Sequence, residues 1–580
     1  MLNNTDKLYY SEAYTFLENS TKIEIDNSEN VSDDDYSKKE YLNRLLKDIQ
    51  GNIIKSHGRT YSVYLFLRFE LGEDRNKSTD RQKNVKSWIG NFADKYAISA
   101  IEQQAQTQEY KESIANNKTP PNKLFINFSL SFKGYEALGL DAEKKFEKVR
   151  QQKINNSEAN FRSSHSFKLG MLGTLDSPPE NQENWEHEYL QGNKQDIHAL
   201  ILLADSNPDY LWEETNKIID SIRSNNDIVI AKYENGLSRK IQINDRLQSV
   251  EPFGFQDGIS QPLFLKSDID EVKDTDKWDP SANLRLVLNI DPFGNRFDED
   301  TSDAYSFGSF LVYQKLEQDV TAFNNKVSTL ARVLADRGAD EQPKEETEQF
   351  VRAAIVGRFR EDGRPVAEYG NLSRPEANEI ALNNFNYEPD FSDRSRWRCP
   401  FHAHIRKVNP RAINSHVYDG ENYDDSPQNQ RNRRIVRRSA SYGVPEEKHT
   451  SFLSASTQEN LEHYKALSEK LSEKLGIKLD RGKEGTLFLC FQSDIKPQFE
   501  KLRDYSNSKD FGPDPHGNMG ADPISGQKNA AEWPGQTWPR QWGVSDNPVE
   551  DFDFSEVVTP RGGEYFFTPS LSFLKSLTEV

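Results

Sequence analysis

Short runs of strand length, rich in aromatic and β-branched side chains and separated by stretches that suit helices, constrain this fold more than any other feature. YSVYLFLRFEL (61–71), LFINFSLSF (124–132), HALILLAD (198–205) and IVIAKYE (228–234) have the length and apolar density of buried strands. Residues 80–105 suit a helix, as does the stretch near 209–225. Strand, helix, strand, then strand, helix, strand again is the order of a ferredoxin-like α+β unit. The later half repeats the pattern: FGSFLVYQKLEQ (307–318) leads into a helix near 319–336, and TLFLCFQ (486–492) into one near 495–505. The expected fold is therefore α+β, two ferredoxin-like domains in series, with antiparallel sheets and peripheral helices. Residues 1–40, with the acidic run DNSENVSDDD (26–35), read as a polar leader. An N-terminal domain is expected over 41–245 and a C-terminal one over 246–580, with long charged insertions at about 338–480.

A chain of 580 residues exceeds the usual size of one core, and its 33 Phe and 23 Tyr supply apolar material for two. The formal charge of -19, from 74 basic and 93 acidic residues, argues against a nucleic-acid partner, which needs basic surface to displace counterions. Two cysteines, Cys399 and Cys490, cannot build a disulfide framework and lean toward a reducing compartment. The first twenty residues lack a charged segment followed by an apolar run, and no stretch approaches about 18 consecutive apolar residues. A cytoplasmic location without membrane contact is expected.

Three islands carry the chemistry. In EPFGFQDGISQP (251–262), Asp257 sits between glycines and among Phe253, Phe255 and Ile259. A carboxylate so placed can stand at a partly dry cavity, although an ordinary Asp-Gly turn reads the same locally. In RWRCPFHAHIRKVNPR (396–411), His402 and His404 alternate with small or apolar residues and would share one face of an extended segment. That spacing suits a mononuclear metal or a single imidazole on a haem iron, and Arg406, Lys407 and Arg411 could pair with haem propionates. RNRRIVRRSASYG (431–443) holds five arginines in its first eight residues. Ile435 and Val436 turn at least one guanidinium inward, where its permanent charge suits a peroxide anion or its departing hydroxide.

Together the three islands resemble the dye-decolourising peroxidase family. GFQDGISQP matches the family's GxxDG signature, CPFHAHIRKVNPR its proximal-histidine segment and RIVRRSASYG its distal-arginine segment, in the family's order. Further similarity runs through DIQGNIIKSHGR (48–59), DIHALILLA (196–204), GTLFLCFQ (485–492), ADPISGQ (521–527) and GGEYFFTPSLSFL (562–574). The size and insertions resemble the larger, elaborated members. The resemblance implies haem b (iron protoporphyrin IX) in the C-terminal domain, hydrogen peroxide as oxidant, and dyes, phenols and similar aromatic reductants as electron donors. It assigns Asp257 as distal acid–base group and His404 as proximal iron ligand; His402 stands where the family has a small residue. Arg437 matches the distal arginine, with Arg438 as the adjacent alternative. Phe488 matches the distal aromatic, Thr486 replaces a frequent leucine, and Asp522 matches the acidic partner of the proximal histidine. A haem-handling protein without turnover is the alternative activity, and a homo-oligomer stays open. Among the tryptophans, Trp533, Trp538 and Trp542 cluster near the C-terminus, where ordinary packing is the expected role.

Overall fold

The computed structural model describes residues 16–20, 33–72, 75–154, 163–175, 183–190, 196–243, 246–272, 276–294, 306–335, 345–368, 382–387, 399–411, 427–450, 453–477, 483–508, 520–527, 535–539, 549–554 and 556–579. Most of the expected leader, together with Trp533 and Trp542, lies outside these residues, as do several parts of the 338–480 insertions.

In the first half, β1 (Tyr61–Phe69), β2 (Phe125–Ser131), β3 (Ala199–Asp205) and β4 (Ile228–Leu237) pair antiparallel. The hairpin β5 (Arg239–Ile243) and β6 (Arg246–Val250) follows, and then the short β7 (Asn289–Ile290). The second half contributes β8 (Phe307–Gln318), β9 (Val436–Arg437), β10 (Ala440–Tyr442) and β11 (Gly485–Gln492). A separate hairpin, β12 (Gln536–Pro539) and β13 (Val549–Phe552), precedes β14 (Val558–Thr568). The first-half order is β4-β1-β3-β2, and the second-half order is β14-β8-β11-β10. Counted within each half, both read fourth-first-third-second, the ferredoxin-like order.

The two sheets join at both ends. β4 meets β10 through Leu237 and Ser441, and β14 meets β2 through Phe566 with Ser131 and Phe567 with Leu130. With β8 also paired to β11, eight antiparallel strands close into a ring, which removes the long open edges that two separate sheets would expose.

Side chains alternate across each strand, so one face of β8 looks into the ring and the other away from it. Inside, Tyr313 packs on Phe66 and Tyr64 of β1, with ring centroids 4.9 and 6.4 Å apart. Two residues on, the Lys315 ammonium lies 2.8 Å from both Glu234 and Glu186. Lys232 completes the cluster at 2.6 Å from Glu186 and 3.3 Å from Glu234. These charges are nearly dry and belong to both halves; deleting one partner would strand a buried charge at about 3–5 kcal/mol. Outside the ring, the first half is filled: Val63, Leu65 and Leu67 are buried with Ile89, Phe92, Ile218 and Ile222 of the covering helices Arg75–Tyr96 and Pro208–Ser224. The second of these helices starts where the Asn207 side chain accepts the Asp209 and Tyr210 amides and Pro208 takes the first turn.

Three expectations differ in detail. The single helix near 80–105 is two, Arg75–Tyr96 and Ala100–Ala115, because Ser99 and Glu102 form a reciprocal capping box that starts a new helix. The helix near 495–505 begins as a π-helical turn, Lys496–Glu500, before the α-helical Lys501–Asn507. The 396–411 island is not extended over its histidines: His404 opens the helical turn His404–Val408, so the shared face expected of His402 and His404 does not form.

Candidate active site

On the outer face of the second half lies a cavity of about 300 Å³. β8 lines it with Gln314, Leu316 and Gln318, β11 with Thr486 and Phe488, and β14 with Val558 and Pro560. All three sequence islands reach it: Asp257, His404 with Arg411, and Arg437.

The loop that carries Asp257 reverses through Gly254 (φ 92°) and Gly258 (φ 89°), a left-handed backbone that favours glycine. Its base is tied down by the Asp257 amide, which donates to the Ser249 carbonyl at 3.0 Å. The Arg437 Nη2 approaches the Asp257 Oδ1 to 3.5 Å, and both side chains keep about a third of their surface. Gln261, the penultimate residue of the first island, joins the two: its Oε1 accepts the Arg437 amide at 3.0 Å and its Nε2 donates to the Arg437 carbonyl at 3.3 Å. Arg437 also presents a buried Nε that finds no partner among the described residues. Arg438, its neighbour on the opposite side of the chain, turns away to the first half and donates to the Asn52 and Ile53 carbonyls at 2.6 and 3.1 Å. Arg437, the sequence-based choice, thus lines the cavity and Arg438, its alternative, does not.

His404 stands at the first residue of its helical turn with Nδ1 2.8 Å from the Asp522 Oδ2. Burial would push the Asp522 carboxyl up, but the adjacent imidazole and hydrogen bonds from His404, Ser525 and the Ile524 amide overcome it and hold the group at about 2. Ser525 Oγ donates to the same oxygen at 2.6 Å, and the Ile524 and Ser525 amides donate to the other. An acceptor so fully occupied directs the His404 ring and leaves its Nε2 for the cavity. His402 takes no part: it is buried, packs edge-on against the Trp538 ring at 4.3 Å, and does not line the cavity. Arg406 and Lys407 do not line it either. Arg406 stacks over Phe401 and Tyr387 and donates to the Cys399 carbonyl, and Lys407 donates to the Ser508 and Gly520 carbonyls.

The charge of the wall is the second chemical fact. Among the described residues, Arg358, Arg411, Arg434, Arg437 and Arg503 line the cavity, against two acids, Glu251 and Asp257. Burial pulls Arg358 to about 10, Arg434 to about 9 and Arg411 well below its usual range, so desolvated guanidiniums crowd this wall. Arg411 is held between Trp278 and Phe385, at 4.5 and 4.0 Å, and donates to the Asn383 and Phe385 carbonyls. Its neighbour Arg358 was invisible in the sequence, where it sits in an unremarkable GRFRED stretch. Flat aromatic surface (Phe253, Phe255, Phe359, Phe488), one directed imidazole and surplus positive charge fit a planar, dianionic, metal-bearing porphyrin.

No family model matches the chain. It is 30% identical over 546 residues to the multifunctional dye peroxidase DyP2 of Amycolatopsis sp., covering 92% of this chain and 96% of that protein. It is 28% identical over 442 residues to the dye-decolorizing peroxidase msp1 of Mycetinis scorodonius, covering 71% and 72%. Among solved structures, a DyP-type peroxidase of Anabaena sp. superposes with a TM-score of 0.67 at 32% identity over 94% of this chain and 98% of that one. The DyP2 structure from Amycolatopsis sp. gives 0.68 at 27% identity over 96% and 99%.

Proposed function

The chain belongs to the dye-decolourising peroxidase family, and we propose that Asp257, Arg437 and His404 carry its reaction. As a member it is a haem b peroxidase that uses hydrogen peroxide to oxidise dyes and phenols. What supports the residue assignment is that all three side chains line one cavity, with Asp257 and Arg437 facing each other, the Arg437 backbone fixed by Gln261, and the His404 ring directed by Asp522.

When bound, haem supplies the redox chemistry, and the protein supplies position and charge. The His404 Nε2 would hold the iron, with Asp522 accepting the Nδ1 proton and raising the basicity of the ring. Asp257 would take the proton from one oxygen of hydrogen peroxide and return it to the other, which leaves as water, with the two electrons for O–O cleavage coming from the redox chemistry that bound haem would supply. Arg437 stabilises the negative charge that gathers on the departing oxygen. Phe488 and its aromatic neighbours keep water from the reacting oxygens. Arg411, with Arg358 and Arg434 beside it, forms the positive wall that the two propionate groups would face.

The visible spectrum of the purified protein and of His404→Ala tests the reading, together with dye turnover by Asp257→Asn. A Soret band that does not change in His404→Ala would sink the ligand assignment. Tight haem without turnover in the wild type would instead mark a haem-handling protein. We further propose a division between the halves near residue 245 and a cytoplasmic location, the latter supported by a chain with two cysteines, both buried. Among the described residues no helix is long and apolar enough to cross a membrane.

A further inference from the structure

Thr486 stands where the family resemblance leads one to expect an apolar side chain. Its hydroxyl is engaged rather than idle: Oγ1 donates to the Gln318 Oε1 at 2.7 Å. The other end of that amide, Nε2, donates to the Glu251 Oε2 at 2.6 Å. Glu251 in turn accepts the Phe253 amide at 3.0 Å on the same oxygen and the Phe255 amide at 2.9 Å on the other. Its own backbone closes the ring, with the Glu251 amide donating to the Phe255 carbonyl and the Gly254 amide to the Glu251 carbonyl. The loop that ends in Asp257 is thus wound around one carboxylate. Thr486, Gln318 and Glu251 all line the cavity, and they come from β11, β8 and the loop itself.

The polarity of this chain of bonds is determined by its ends. A carboxylate only accepts, so Gln318 must offer Glu251 its NH₂, and the amide oxygen must then find a donor elsewhere. Thr486 is that donor. A leucine at this position would leave the Gln318 oxygen unsatisfied and free the amide to turn over, presenting oxygen to the Glu251 carboxylate. We propose that Thr486, Gln318 and Glu251 form a hydrogen-bonded strut that fixes the loop carrying Asp257, which makes all three positioning residues for the acid–base step. The inference rests on the reading of Asp257 as the acid–base group. Its physical basis is distance: a group that must move a proton within about 2.6–3.2 Å loses rate steeply when its loop shifts.

The test is stopped-flow measurement of the reaction of the haem-loaded protein with hydrogen peroxide, followed at the Soret band. Thr486→Val removes the hydroxyl at constant shape and should slow this step about 3- to 10-fold, the worth of one neutral hydrogen bond. Thr486→Ser, which restores the donor, should return the wild-type rate, and Gln318→Leu, which cuts the same link from the other end, should match Thr486→Val. Added to Asp257→Asn, Thr486→Val should cost nothing more, because the group it positions is gone. The haem content and thermal midpoint of each variant, measured alongside, should stay at wild-type values. A wild-type rate in Thr486→Val, failure of serine to restore it, or a full additional loss in the double variant would each overturn the proposal while leaving Asp257 in its role. A wild-type rate in Asp257→Asn alone would overturn both.

Discussion

The two halves of the ring share one strand order and differ in what lies on their outer faces. In the first, Val63, Leu65 and Leu67 are sealed by helices whose buried aliphatic and aromatic side chains leave no room. In the second, the corresponding surface of β8 presents Gln314, Leu316 and Gln318 to a cavity, and the covering segments bring guanidiniums, an imidazole and carboxylates set among aromatic and aliphatic side chains. The shared strand order therefore does not by itself make a site. The site arises where the cover over the sheet carries charged groups among its apolar ones and stands off from it.

The most severe way to break this contrast is to remove the imidazole proposed to hold the iron on the second face. His404→Ala should lose the Soret band and dye turnover together, measured by visible spectroscopy and a steady-state assay. Next in size, Arg437→Leu should slow the peroxide step by about 10²–10³-fold and be at least as damaging as Asp257→Asn. A loss of only a few-fold in the stopped-flow rate would remove Arg437 from its role. Asp522→Asn keeps the shape but weakens the acceptor behind His404, and should cost about 10- to 100-fold in haem affinity or activity by titration and assay. On the filled face, Leu65→Ala should do the reverse: about 2–5 kcal/mol of stability lost in denaturant unfolding, with the Soret position of the folded protein unchanged.

A smaller effect tests the carboxylates that hold the segment Ser570–Ser572 in place. Asp291 accepts the Ser570 amide and hydroxyl at 2.8 and 2.7 Å, and Asp48 accepts the Ser572 amide at 2.7 Å. Burial pushes Asp291 up to about 6, above its unfolded value of 3.8. A carboxyl raised on folding stabilises the protein below the lower value, and that contribution fades as pH rises through the higher one. Asp291→Asn should therefore destabilise more at pH 4 than at pH 7, read from urea midpoints; an equal loss at both would remove Asp291 from this role.

Much of this was legible in the chain. The strands at 61–71, 124–132, 198–205 and 228–234 fall within a few residues of their observed bounds, because buried strands must be short and apolar. Asp257, His404 and Arg437 each sit in a local motif, and the fold brings all three to one cavity. The capping signal Ser99-Ala-Ile-Glu102 was also present, and would have split the helix that local periodicity joined. What stayed hidden is long-range. Nothing near Thr486 announces Gln318, 168 residues earlier, and nothing near Arg358 announces a cavity wall. Alternating histidines at 402 and 404 suggested a shared strand face, whereas the backbone coils at 404 and sends one ring to Trp538 and the other to the cavity.

The joins of the ring are far weaker than its ladders. Twelve-residue β8 is zipped along most of its length on both sides, while among the described residues three ladder pairs join the two halves edge to edge. Partial opening should begin there, so amide exchange at Leu237, Ser441 and Leu130 should outpace that at Val312 and Leu489. A molecule parted along those lines bares two complementary edges, each shaped to receive the opposite half of another copy, and concentrated refolding is where such exchanged pairs would accumulate.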